Sequence, residues 1–72
     1  MFEKFLEIFV EVGQENGKEN WFEIFDSELF EEVERRIGIM LGWAEQGEEL
    51  ETKLIDNIPE FSEWYNEMSE EL

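Results

Sequence analysis

Residues 9–25, FVEVGQENGKENWFEIF, decide between two folds for this chain. Asn16-Gly17 is a common dipeptide in tight β-hairpin turns, and its flanks are rich in strand-forming residues, so the stretch could fold as a hairpin. However, three residues without large apolar side chains separate the dipeptide from the hydrophobic sequence on each side. Gly13 also offers a helix stop. We therefore favour two helices joined by a polar loop at 13–20, with an N-terminal hairpin as the alternative.

Both flanks of this loop have helix signals of their own. The apolar residues before it recur three and four positions apart, which is the spacing of one helix face. They are Phe2, Phe5, Leu6, Phe9 and Val10. After the loop, Asn20 followed by Glu23 resembles a capping box. A short helix is therefore expected to start at Trp21.

The longest predicted helix opens at about residue 28, where Asp26-Ser27 offers an N-cap, and Gly47 is the predicted stop. Its expected buried stripe comprises Leu29, Phe30, Val33, Ile37, Met40, Leu41 and Ala44. Ile39 and Trp43 add apolar surface on another side. This helix is therefore expected to be buried on several sides.

Two shorter helices complete the predicted fold. One covers residues 48–57, and the other is expected to have Asn57 as its cap and Pro59 in its first turn. The residues expected to be buried in the last helix are Phe61, Trp64, Tyr65, Met68 and Leu72. The sequence thus predicts a single all-α domain over residues 1–72, a compact bundle of about four short helices. The hairpin around Asn16-Gly17 would make it α+β instead.

The charge of the chain is its most unusual property. There are 21 acidic residues, 5 basic residues and no histidine, for a net charge of −16. A compact chain of this length is roughly 30 Å across, and the same length of duplex DNA carries roughly 18 phosphates. Such a chain is expected to be repelled by nucleic acid and by anionic membranes, and to be attracted to strongly basic surfaces.

Ion pairs on helix surfaces explain part of this charge. The predicted pairs, four residues apart, are Glu31–Arg35, Glu32–Arg36 and Glu49–Lys53, each contributing about 0.2–0.5 kcal/mol. The acids near the C-terminus have no such explanation. Glu63, Glu67 and Glu71 repel one another at the same spacing, and six acids follow Lys53 without any base. Folding alone would not select this pattern.

Three explanations compete for the surplus acids: solubility, adaptation to high salt, and a surface that binds a cationic groove. A net charge of about 2–8 usually suffices for the solubility of a small domain. Adaptation to high salt should favour aspartate as well, yet only Asp26 and Asp56 are aspartates. We therefore favour the binding surface. Its predicted residues are Glu60, Glu63, Glu67, Glu70 and Glu71 near the C-terminus, and Glu3, Glu7, Glu11, Glu15 and Glu19 near the N-terminus.

Several other classes of function are not expected. Without histidine or cysteine, the usual proton shuttle and thiolate nucleophile are missing, so neither catalysis nor a cofactor is predicted. There is no EF-hand loop, and no specific metal site is predicted. Glutamates interrupt the apolar N-terminal stretch, which argues against a signal peptide. The longest uncharged run is too short for a membrane span, and a cytoplasmic location is expected.

In size, acidity and absence of any catalytic motif, the chain resembles phage-encoded DNA-mimic inhibitors such as anti-CRISPR and anti-restriction proteins. The resemblance covers the whole chain as composition, because those proteins share no common motif. It implies a protein that occludes the basic groove of a nucleic-acid-binding protein, a CRISPR effector first of all, in the cytoplasm of a bacterial host. It implies no direct binding to nucleic acid.

Two alternatives come from other classes of protein. The first is an interaction adaptor that binds through apolar surface at Trp43 or Trp21, with the acids serving solubility. The same apolar surface would also suit a homodimer. The second is a chaperone or transcription regulator that binds a basic protein and leaves its DNA site open.

Overall fold

The computed structural model describes residues 1–71, which form five α-helices. They are α1 (Phe2–Glu15), α2 (Trp21–Phe25), α3 (Glu28–Leu41), α4 (Gly47–Asn57) and α5 (Pro59–Glu71). The predicted all-α class is confirmed, with five helices rather than about four. The alternative hairpin around Asn16-Gly17 is wrong, because this part of the chain contains helix and turn and no strand. Leu72, predicted to be buried, lies outside the described residues.

The segment that could have been a hairpin is helical because the apolar face of α1 packs into the core. Phe5, Phe9 and Val12 are fully buried. The prediction that this helix stops at Gly13 is wrong, because the helix continues to Glu15. A Cβ atom added at Gly13 would lie 2.5 Å from the side chain of Ile24. Glycine is therefore needed at this position for the close packing of α1 on α2, and not to end the helix.

Two predicted N-caps form. The side chain of Asn20 accepts a hydrogen bond from the backbone N–H of Phe22 at 2.8 Å, which starts α2. The hydroxyl of Ser27 accepts one from the backbone N–H of Leu29 at 3.2 Å, which starts α3. Each cap satisfies a donor that the first helical turn leaves without a partner.

Helix α3 is shorter than predicted. It ends at Leu41, where Gly42 adopts a left-handed conformation with φ of 75°. Gly47, the predicted stop of this helix, is instead the first residue of α4. Met40 and Ala44, which were predicted to be buried, are exposed. Ala44 lies beyond the early end of α3, and Met40 lies on the side of α3 that faces solvent, where it is 45% exposed.

Helices α4 and α5 are separated by Ile58 alone. Asn57 was predicted to cap the last helix but is the last residue of α4, where its amide donates a hydrogen bond to the carbonyl of Lys53 at 2.8 Å. Helix α5 begins at Pro59, one residue later than a cap at Asn57 implies. Pro59 lies in the first turn, as predicted, where a proline needs no partner for a backbone N–H. The two helices are therefore joined without a flexible loop.

The core is aromatic and centres on Trp64. Its ring lies edge to face with those of Phe5, Phe9 and Phe25, at centroid distances of 5.1, 5.2 and 5.6 Å. The ring of Phe30 lies 6.0 Å away. Each such pair contributes about 0.5–1.5 kcal/mol beyond the burial of its area. This cluster joins α1, α2, α3 and α5 and thereby fixes which side of α5 faces solvent.

Candidate functional site

The five glutamates predicted near the C-terminus lie on one side of α5. They are Glu60, Glu63, Glu67, Glu70 and Glu71, and all are exposed. At 3.6 residues per turn they fall within an arc of about 100°. The buried residues of α5 occupy the next arc, and the uncharged residues Ser62, Asn66 and Ser69 occupy the third. We call the five glutamates the α5 stripe.

The α5 stripe has the axial charge density of one DNA strand. From Glu60 to Glu71 the helix rises about 17 Å. One strand of duplex DNA carries one phosphate per about 3.4 Å, and so about five phosphates over this length. Among residues 1–71, no ion pair joins a lysine or arginine to the stripe. The stripe is thus a row of carboxylates without compensating cations.

An open groove of about 470 Å³ follows one edge of the α5 stripe. Its walls are formed by Trp21, Trp64, Met68, Glu67, Glu70 and Glu71. Trp21 is 40% exposed, and its ring lies 5.3 Å from that of Phe9 and 6.4 Å from that of Trp64. Trp21 was predicted as an apolar contact on its own. The structure brings it to the same groove as three stripe glutamates.

The predicted N-terminal acids do not form one continuous array. Glu3, Glu7 and Glu11 lie on the side of α1 that faces away from the core, around a shallow depression. Glu7 also pairs with Lys4 at 3.3 Å, on the surface. Glu19 follows α1 in the polar loop and is exposed. The depression on α1 and the groove beside the α5 stripe share no residue.

Arg36 compensates part of the N-terminal charge. Its guanidinium donates two hydrogen bonds to Glu15, at 2.7 and 2.8 Å, and one to Glu32 at 3.0 Å. Glu11 lies 3.5 Å from the same guanidinium. Hydrogen bonding to Arg36 lowers the pKa of Glu15, and hydrogen bonds from Arg35 and Arg36 lower the pKa of Glu32 to about 2. Glu15, predicted as a partner-binding acid, is therefore already engaged in joining α1 to α3.

The predicted pair Glu32–Arg36 thus forms, but the other two predicted pairs are replaced. Arg35 donates to the same Glu32 carboxylate at 2.9 Å and not to Glu31. Lys53 donates to Glu45 at 3.1 Å and not to Glu49. Glu45 lies in the loop between α3 and α4, and Lys53 lies on α4. Their ion pair therefore holds this loop against α4.

Trp43, the other predicted apolar contact, is partly covered. It packs against the core, and the ammonium of Lys53 lies 4.6 Å from the centre of its ring. The most exposed apolar side chains near it are Ile39 at 65% and Met40 at 45%. Trp43 also lines a cleft of about 360 Å³ between the end of α3 and the start of α4.

Sequence reasoning missed the buried acid in this cleft, Glu34. It is only 6% exposed, and its Oε2 atom has no hydrogen-bond partner among the described residues. Burial, followed by repulsion from Glu51 and Glu31, raises the pKa of Glu34 to about 8. One signal could have identified it. Glu34 follows the core residue Phe30 by four positions, so the acid occupies a place in the apolar stripe of α3.

Comparison with protein-family models, with curated proteins and with solved structures finds no match to this chain. Within residues 1–71, none of the helices has the length and apolarity that crossing a membrane requires. The same residues contain no group of three or more candidate ligands that could hold a metal ion.

Proposed function

We propose that this protein is an inhibitor that imitates the phosphate charge of a nucleic acid and occludes the basic groove of a DNA- or RNA-binding protein. The α5 stripe carries this proposal, because it presents five carboxylates over about 17 Å without a paired cation among the described residues. The resemblance to phage-encoded mimics directs the proposal to a bacterial CRISPR effector, with the host cytoplasm as the place of action.

The helix presents these carboxylates in a fixed arrangement. Phe61, Trp64 and Met68 anchor the neighbouring side of α5 in the core. Because the backbone of the stripe is already ordered, binding does not have to order it. Lysines and arginines placed to meet successive phosphates would meet glutamates one helical turn apart. Association would be steered by long-range attraction and would weaken steeply with salt.

The groove beside the α5 stripe supports a contact that charge alone does not provide. Trp21 offers a partly exposed indole ring next to Glu67, Glu70 and Glu71. An arginine of the partner could stack on this ring while its guanidinium pairs with a stripe carboxylate, and such cation–π contacts contribute about 0.5–2 kcal/mol. This arrangement favours an arginine-rich groove over one lined only by lysine.

The test is capture of proteins from a bacterial lysate at low salt, with elution first by a salt gradient and then by competing duplex DNA. We expect nucleic-acid-binding proteins that the duplex displaces. The informative variant combines Glu63→Lys, Glu67→Lys and Glu70→Lys. Its matched control combines Glu23→Lys, Glu28→Lys and Asp56→Lys, three exposed acids outside the stripe with the same change in net charge.

The stripe variant should lose these proteins, whereas the control should retain most of them. Capture of no nucleic-acid-binding protein by the parent chain would exclude the proposal. An equal loss in both variants would show that net charge, and not the α5 stripe, is responsible. Retention of the partner in the presence of excess duplex would favour a chaperone that leaves the DNA site open.

A second candidate function is an adaptor or homodimer that uses apolar surface. Exposure of Ile39 and Met40 beside Trp43 favours it. In that case Ile39→Lys should abolish the interaction, and the stripe variant should leave it unchanged. Sedimentation of the parent chain and of Ile39→Lys would show whether a second copy is the partner.

A further inference from the structure

The cleft between α3 and α4 combines a buried interior with an exposed apolar wall. Its buried lining residues are Glu34, Gly38 and Leu50. A Cβ atom added at Gly38 would lie 3.0 Å from a methyl group of Leu50, so glycine allows α4 to approach α3 at this point. Ile39 and Trp43 line the more exposed part. At about 360 Å³ the cleft lies in the size range of small-ligand sites.

Two carboxylates of the cleft, those of Glu31 and Glu34, have no ion-pair partner among the described residues, and only Glu34 is buried. Arg35 lines the cleft, but its guanidinium is bonded to Glu32 at 2.9 Å. Glu45 is bonded to Lys53 at 3.1 Å. Glu34 is different, because its Oε2 atom is buried and receives no hydrogen bond from any described residue. A buried acceptor without a donor is destabilising, and a ligand that supplies a donor would remove that penalty.

We propose that this cleft binds the cationic end of an alkyl chain, a primary ammonium or a guanidinium, with the Glu34 carboxylate as its counter-ion and Ile39 and Trp43 against the alkyl part. A lysine or arginine side chain of a protein partner and a free polyamine share this chemistry. The net charge of −16 draws either of them to the protein. This site is separate from the α5 stripe and does not depend on its function.

Glu34 gives the proposed binding a characteristic pH dependence. The groups that face it are Glu31 and Arg35 on α3, Glu51 on α4 and Tyr65 on α5; hydrogen bonding to Glu51 raises the pKa of Tyr65 to about 12. With its own pKa raised to about 8, Glu34 is protonated at neutral pH while the cleft is empty. A bound cation requires the ionised form. Binding should therefore release one proton, and affinity should rise about tenfold per pH unit up to about pH 8.

The test uses the full chain with n-butylammonium and n-butylguanidinium as probes, and n-butanol as a neutral probe of similar length. Chemical shifts of the Ile39 methyl groups and the Trp43 indole carbons report occupancy of the cleft. We expect both cations to bind at least tenfold more tightly than n-butanol. Their affinity should be roughly 100-fold higher at pH 9 than at pH 6, because Glu34 ionises between these values.

Two matched variants separate the site from the general negative charge of the chain. Glu34→Gln keeps the side-chain size but should lose at least tenfold in affinity, together with the pH dependence. Glu48→Gln removes an exposed acid of α4 outside the cleft and should bind like the parent. The proposal is overturned if neither cation binds, if n-butanol binds equally well, or if Glu34→Gln keeps the affinity and its pH dependence.

A last comparison identifies the source of the ligand. Spermidine and a short peptide containing lysine and arginine are titrated into the parent and into Glu34→Gln, and only the difference between the two proteins is counted. A larger difference with spermidine assigns the cleft to free polyamines. A larger difference with the peptide assigns it to a protein partner. No difference with either ligand would contradict the site.

Discussion

The two acidic regions of this molecule differ in what compensates their charge. Between α1 and α3, Arg36 lies within 3.5 Å of Glu11, Glu15 and Glu32 and so holds two helices together. Along α5 the glutamates repel one another, and several crowd a helix C-terminus, where the macrodipole disfavours acids. The position of a few bases thus separates the acids that support the fold from those that folding does not explain.

The largest effect is expected at Glu34, which is buried and has no ion-pair partner within the part of the chain that the structure describes. Its pKa of about 8 lies above the usual 4.5, so the folded state keeps a proton that the unfolded chain has lost. Between about pH 5 and pH 8 this group should lower the free energy of unfolding by about 1.4 kcal/mol per pH unit. Glu34→Gln removes this pH dependence. From pH 5 to pH 8 the free energy of unfolding of the variant should therefore rise by roughly 4 kcal/mol relative to that of the parent. Urea unfolding of both proteins at pH 5 and pH 8 measures the difference; parallel pH profiles would contradict it.

The next largest effect concerns the proposed binding role of the α5 stripe. Against a captured basic partner, the variant with Glu63→Lys, Glu67→Lys and Glu70→Lys should bind about 100-fold more weakly at low salt, equivalent to about 2.7 kcal/mol. The difference in affinity between this variant and the parent should become smaller at higher salt, because salt screens the charges of both proteins. Surface plasmon resonance over a salt series measures it. The control variant outside the stripe should lose less than about tenfold, and a loss of equal size there would erase the distinction between the two regions.

In the region between α1 and α3, where Arg36 compensates the acids, substitutions should change the stability of the fold instead. Arg36→Gln removes the contact between α1 and α3 and leaves three carboxylates close together, so it should lower the urea midpoint of unfolding. Arg35→Gln is the matched control, because among residues 1–71 Arg35 pairs only with Glu32 of its own helix. Arg35→Gln should lower the midpoint much less than Arg36→Gln does. Urea unfolding at low salt compares the two, and equal costs would show that Arg36 does not join the helices.

The smallest effects come from one glutamate-to-glutamine substitution in each region, and the two should change stability in opposite directions. Glu67→Gln removes repulsion from Glu63 and Glu71 and should stabilise the chain by about 0.2–0.5 kcal/mol at low salt. Glu32→Gln removes the acceptor of Arg35 and Arg36 and should destabilise it. Thermal unfolding in low and high salt would reveal both. The same sign for both substitutions would contradict the difference in compensation.

Local patterns were sufficient to predict most of the helices. The spacing of Phe5 and Phe9 and the caps at Asn20 and Ser27 depend on neighbours within one or two turns, and these predictions are confirmed. The end of α3 was less predictable. Gly42 and Gly47 both adopt positive φ, and nothing local shows which of them closes the helix.

Long-range contacts were the part of the candidate site that sequence could not provide. The acids of the α5 stripe were predicted, since no base lies near them in the chain. The pair between Arg36 and Glu15 spans 21 residues and depends on how α1 packs against α3. Burial of Glu34 likewise depends on where α4 lies. Helical spacing places this acid on the core side, but spacing alone does not distinguish a buried carboxyl from one that reaches solvent.

Helix α5 carries both the charge array and a large share of the core, and Ile58 alone separates it from α4. In evolution, an insertion or deletion could not add or remove the stripe by itself, because it would also displace Phe61 and Trp64. Point substitution on the exposed side does not disturb those residues. If the stripe has the proposed function, the array can therefore change one charge at a time to follow a changing partner while the fold stays the same.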